Sequence, residues 1–143
     1  MASVSVPAGL TVKEYWVAAL AEAADALRSA DNVDGFLSAI EVNHGLWSIL
    51  AETAGRFPGT VDKRATDFVM STAYGGGRGI PDRNVEMLIG INNTLSSTLA
   101  GEDDPALVRR RAELVWKKAA PGGMGLNIWL VQEIDRMNRL TGD

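Results

Sequence analysis

The sequence has no cysteine and a single histidine, His44, among its 143 residues. Without cysteine the chain has no disulfide bridge, no thiol nucleophile and no zinc or iron–sulfur site with cysteine ligands. A lone histidine cannot build the usual zinc clusters, and no second histidine or cysteine is present to work with it in acid–base catalysis. We therefore predict that the chain is not an enzyme, and we interpret His44 as a structural or surface residue.

Long apolar runs and an excess of positive charge are also missing. The longest apolar stretch, Trp16 to Ala21, is far shorter than the roughly 20 residues that span a bilayer. The first residues have neither the basic start nor the apolar core of a secretory signal. A net charge of −4 argues against a polyanion-binding surface over the whole molecule. These absences predict a cytoplasmic protein with no membrane partner.

Helical periodicity is the main positive signal. Apolar residues recur every three or four positions in six segments separated by Gly- and Pro-containing turns, and no segment alternates like a strand. The pattern predicts an all-α bundle of about six helices in a single domain, 1–143. The expected helices cover about 12–28, 33–56, 61–74, 81–100, 105–119 and 126–140, with N-caps at Thr11, Thr60 and Asp104.

Charge is distributed unevenly along this series of helices. Residues 1–101 carry 7 Lys+Arg and 11 Asp+Glu, whereas residues 102–143 carry 7 of each. Together with the break at Gly101, this shift predicts a four-helix unit followed by a two-helix appendage, 102–143. The basic residues of its first helix are candidate contacts for RNA phosphates, with a solvated helix face as the alternative. They are Arg109, Arg110, Arg111, Lys117 and Lys118.

Two asparagines interrupt apolar helix faces. Asn43 precedes Trp47 by one turn, and Asn92 lies between Leu88 and Leu95. A buried amide without a partner costs about 1–3 kcal/mol, so each must bond the other, a helix end or a bound peptide. Structural pairing is the interpretation that we favour.

The chain contains four tryptophans although aromatic residues make up only 6% of it, which raises the question of a binding groove. Trp16 and Trp47 fall on helical stripes and are expected in the core. Trp116 and Trp129 lie in the predicted appendage, where we expect them to be exposed in a partner-binding patch.

A glycine-rich segment, 75–79, precedes a predicted helix N-terminus, where a phosphate can bind. A phosphate loop also needs a preceding strand and a Gly-Lys-Ser/Thr ending, and both are missing. We interpret the segment as a flexible connection. An enzyme would have to use this loop together with Asp62, Asp82 or Arg78.

Two helical motifs resemble those of the flagellar biosynthesis regulator FlaF family. Residues 37–47, LSAIEVNHGLW, are similar to the family's Ala-Leu-x-x-Asn-x-x-Leu-Trp helix. Residues 85–93, VEMLIGINN, are similar to its Leu-Ile-x-Ile-Asn helix. An Ala/Glu-rich first helix precedes both, so that the resemblance covers about residues 11–101.

This resemblance implies a non-enzymatic, cofactor-free factor that binds flagellin and supports its secretion, with the flagellin translation regulator FlbT as a possible companion. Its groove would accept an amphipathic helix, with Trp47 beneath it and with Asn43 and Asn92 setting helix register or bonding the client backbone. The alternative is a helical RNA-binding regulator that uses the five basic residues. The candidate partner-binding residues are Asn43, Trp47, Leu88, Asn92, Leu95, Trp116 and Trp129.

Overall fold

The structure is a computed structural model that describes residues 10–53, 57–59, 61–73, 81–119 and 122–141, except for the side chains at positions 73, 140 and 141. Within these ranges it consists of six α-helices and no strand, which confirms the all-α prediction. The helices are α1 (Val12–Ser29), α2 (Val33–Glu52), α3 (Lys63–Ala73), α4 (Asp82–Ala100), α5 (Pro105–Ala119) and α6 (Leu126–Thr141). The expected cap at Thr60 and the glycine-rich segment 75–79 lie outside the described residues.

Local side-chain bonds define where three of the helices begin. The Thr11 hydroxyl accepts a bond from the Glu14 amide, and a Glu14 carboxylate oxygen accepts one from the Thr11 amide, which makes a capping box. Asn32 caps α2 by accepting from the Gly35 amide at 2.7 Å. Asp104 accepts from the Ala106 amide at 3.0 Å. The predicted caps at Thr11 and Asp104 are therefore confirmed.

Helix α1 is the centre of the bundle. It packs against α2, α4, α5 and α6. Ala18, Ala19 and Leu20, which face different directions around the helix, are all fully buried. A helix that is apolar on all sides is stable only when surrounded, and alanine side chains let several neighbours approach its axis closely.

The two C-terminal helices belong to the same core. Val108 and Ala112 of α5, and Leu130 and Ile134 of α6, are buried, and both helices pack against α1. The separation of 102–143 as an appendage is therefore corrected to a single bundle. The charge pattern suggested a separate unit because charged residues describe only the solvent-facing side of α5 and α6. Their packing is decided on the opposite side, by pairs of apolar residues four positions apart.

No described helix is both long enough and apolar enough to cross a membrane.

Candidate functional site

Three buried polar side chains form a hydrogen-bond network between α2 and α4. The Trp47 indole N–H donates to Asn92 Oδ1 at 2.8 Å, and Asn92 Nδ2 donates to Asn43 Oδ1 at 2.6 Å. Since an indole N–H can only donate, it turns the Asn92 carbonyl toward itself and leaves the NH₂ group for Asn43. Of the partners considered for the two asparagines, which were each other, a helix end or a bound peptide, the structure shows the first.

Helix geometry explains how these residues meet. Asn43 and Trp47 are four positions apart on α2 and therefore share a face, which is turned toward Asn92 on α4. One turn after Asn92, the Ser96 hydroxyl donates to the Val17 carbonyl of α1 at 2.8 Å. A single face of α4 thus hydrogen-bonds to α2 and to α1. An apolar replacement on this face leaves buried groups without partners.

An apolar groove lies beside this network, between α3 and α4, and its volume is about 400 Å³. Trp47 adjoins the groove but is fully buried, so it supports the groove from behind and has no surface for a client. Leu95, a second predicted partner-binding residue, also lines it. We call this cavity the apolar groove; its lining includes Trp47, Ala65, Ile91, Thr94, Leu95 and Thr98.

Three other predicted partner-binding residues lie in the interior. Asn43 is 2% exposed, Leu88 is 1% exposed and Asn92 is 0% exposed. A client backbone cannot reach Asn92, whose carbonyl and NH₂ groups both bond within the chain. The predicted direct contact of these residues with a client is therefore corrected to a structural role. The sequence pattern correctly indicated that this face is buried. Its polar groups find their hydrogen-bond partners within the chain.

The two C-terminal tryptophans also differ from the expectation of an exposed patch. Trp129 is 5% exposed and packs against Tyr15 with the ring centroids 6.1 Å apart, so the prediction of its exposure is wrong. Trp116 is half-buried, and its indole N–H donates to the Met124 carbonyl at 2.9 Å. That bond ties α5 to the segment that precedes α6. Both rings hold the C-terminal helices to the bundle.

The five predicted nucleic-acid contacts differ in their surroundings. Arg109 donates through Nε and Nη2 to Glu22 Oε2 of α1, at 2.9 and 2.7 Å. Arg111 pairs with Glu14, whose other carboxylate oxygen belongs to the capping box. Two of the five basic side chains are thus directed toward carboxylates of α1, where they hold α5 in place.

The remaining basic residues of α5 face solvent. Arg110 and Lys118 are exposed, and neither has an ion pair within the described part of the chain. Lys117 Nζ lies 3.8 Å from a carboxylate oxygen of Glu113 in an exposed pair one turn apart.

The structure also bears on the residues considered for catalysis. Among the described residues no group of three His, Cys, Asp or Glu side chains is placed to hold a metal ion. Asp62, beside the apolar groove, accepts a bond from the Arg64 amide at the start of α3.

Burial raises the pKa of the Tyr15 phenol, the nearby Glu133 carboxylate raises it further, and Arg136 opposes them. Tyr15 therefore stays neutral at physiological pH.

No model of a known family, no curated protein and no solved structure matches the chain. The class that the geometry defines is a single-core bundle of α-helices, with a hydrogen-bonded polar network beneath an apolar groove.

Proposed function

We propose that this chain is a cytoplasmic, non-enzymatic flagellin-binding regulator and secretion chaperone of the FlaF type. The observation that carries the proposal is the meeting of the two motifs that resemble the family. Asn43 and Trp47 of the first motif bond Asn92 of the second, although 45 or more positions separate them in the chain. The residues responsible for the resemblance thus form one structural unit.

The unit supports a binding role because of what lies on top of it. Trp47 is held in place by its bond to Asn92 and supports the apolar groove from behind. Leu95 and Ile91 add apolar side chains from α4. An amphipathic helix can place its apolar stripe in such a groove. Flagellin's terminal segments are amphipathic helices that polymerise when unprotected, and occupying them would keep the client soluble.

A pull-down from a flagellated host tests this proposal. Tagged full-length chain should retain flagellin at moderate salt, since an apolar contact is only weakly screened. Thr94→Arg places a long cation in the groove from an exposed position and should abolish that retention. Ser38→Arg, a matched substitution at an exposed site on α2, should leave it unchanged.

Two results would contradict the proposal. One is the absence of flagellin from the wild-type pull-down, together with unchanged flagellin production when the protein is deleted. The other is recovery of RNA in place of flagellin, with binding that weakens steeply with salt and disappears when Arg110, Lys117 and Lys118 are neutralised.

A further inference from the structure

Two kinds of glycine in the described chain bear on binding. At Gly59 a Cβ atom would lie 2.5 Å from a methyl carbon of Leu99, which would have to move, and Gly101 has a φ of +63°, so the chain's own packing or backbone favours glycine at both. Gly45 and Gly90 lie inside helices α2 and α4, and a Cβ at either would meet nothing within 4 Å. A glycine inside a helix lowers stability relative to alanine. No close contact within the described chain explains why glycine is present at position 45 or 90.

The position of Gly90 distinguishes it from Gly45. Gly90 is exposed, lines the apolar groove, and also lines a second cavity of about 610 Å³ between α1 and α4. We call the second cavity the polar hollow; it is lined in part by Arg28, Asp82, Glu86 and Asn93. Gly45 lines neither cavity. The two cavities therefore adjoin at the one exposed position of α4 that has no side chain.

Because Gly90 has no side chain and lies between the two cavities, the backbone of another helix can approach α4 closely there. Packed helices usually lie about 8–10 Å apart, the distance being set by the side chains at the crossing point, and a glycine there permits the nearer limit. A helix that crossed α4 over Gly90 would have one end in the apolar groove and the other in the polar hollow. Any side chain at position 90 would hold such a helix away from both.

The charge of the polar hollow indicates which kind of residue it accepts. Its lining includes two carboxylates, Asp82 and Glu86, and one guanidinium, that of Arg28. Glu86 lies one helical turn before Gly90, on the same face of α4. The excess of negative charge is complementary to a lysine or arginine of the bound segment.

We propose that the bound segment is an amphipathic α-helix that crosses α4 at Gly90, with its apolar stripe in the apolar groove and a basic residue beside Asp82 and Glu86. This inference rests on the proposed function, which supplies the helix from a terminal segment of flagellin. It adds a crossing point and a charge requirement that the groove alone does not define.

Two alanine substitutions test the crossing point on the full-length chain. Gly45→Ala and Gly90→Ala should each raise the melting temperature, by about 2–5 °C, because each removes a helix-interior glycine without a clash. Their affinities for a labelled peptide spanning a terminal helix of flagellin should diverge. Gly90→Ala is expected to weaken binding at least threefold, and Gly90→Leu at least tenfold, whereas Gly45→Ala binds like the wild type.

The charge requirement has its own matched pair. Glu86→Lys should weaken binding of the same peptide at least fivefold, whereas Glu41→Lys, at an exposed site on α2, should not. The crossing at Gly90 is overturned if the peptide binds the wild type and binds equally well to Gly90→Ala, Gly90→Leu and Glu86→Lys. That result would leave flagellin binding itself intact. A lower melting temperature for Gly90→Ala overturns the crossing too, since the chain itself would then need the glycine. Absence of wild-type binding overturns the proposed function and the crossing with it.

Discussion

Helices α4 and α5 both pack against the central helix α1, but they are held there by different interactions. On the α4 side the specific contacts are neutral hydrogen bonds in the interior, made by Ser96 to α1 and by Asn92 to the neighbouring helix α2. On the α5 side they are ion pairs nearer the surface, made by Arg109 and Arg111 with carboxylates of α1. The interior bonds fix one arrangement of α2 and α4 and thereby shape the groove. The ion pairs attach a helix whose outer face stays solvated.

The largest effect is expected from replacing Asn92, the residue of α4 that bonds both Trp47 and Asn43. Asn92→Leu leaves the Trp47 indole N–H and the Asn43 carbonyl buried without partners, and we expect a loss of about 2–4 kcal/mol in the free energy of unfolding. Urea denaturation followed by circular dichroism measures it. Asn93→Ala, at the half-buried neighbouring position, should change stability by no more than about 0.5 kcal/mol. Equal losses in the two variants would show that the network contributes nothing specific.

A smaller effect is expected on the α5 side. Arg109→Ala removes two donated bonds to Glu22, and because the pair is partly solvated we expect a loss of about 1 kcal/mol. The loss should shrink as salt is raised, since screening weakens the pair in the wild type. The exposed neighbour Arg110 provides the control, and Arg110→Ala should be close to neutral. A loss that is independent of salt would mean that Arg109 acts through the packing of its aliphatic stem instead.

The smallest expected effect depends on pH. Because the pKa of Tyr15 in the folded chain lies above its ordinary value near 10, the stability linked to this phenol is fully present below about pH 10 and is lost as the pH rises through the folded pKa. Urea midpoints between pH 8 and 11 should therefore fall less steeply for Tyr15→Phe than for the wild type. Parallel curves for the two proteins would contradict the assignment.

The sequence predicted the helices well because their signals are local. Thr11 and Asp104 were expected as caps from the residues next to them, and the cost of burying a lone amide predicted that Asn43 and Asn92 have partners, each other among them. The third member of that network was not predicted. The position of Trp47 on a helical stripe indicates burial, but periodicity does not say which face of α4 it meets.

The C-terminal third was predicted less well for a related reason. Charge and aromatic content suggested that Trp129 was exposed, yet Tyr15 covers it. Contacts between residues more than 100 positions apart depend on how helices are arranged around α1, and no local pattern encodes that arrangement. The apolar groove and the polar hollow are likewise spaces between helices, and no local pattern predicts them. From the sequence alone, Gly90 is therefore only an unfavourable residue inside a helix.

Glu14 has a consequence for cooperativity, because its two carboxylate oxygens serve different parts of the chain. One closes the first turn of α1, and the other holds Arg111 of α5. Fraying of that first turn therefore frees α5 of one of its anchors, and departure of α5 removes a restraint from the first turn. The start of the bundle and its fifth helix are thus coupled in opening and closing, and amide protons near Glu14 should exchange in step with those around Arg111.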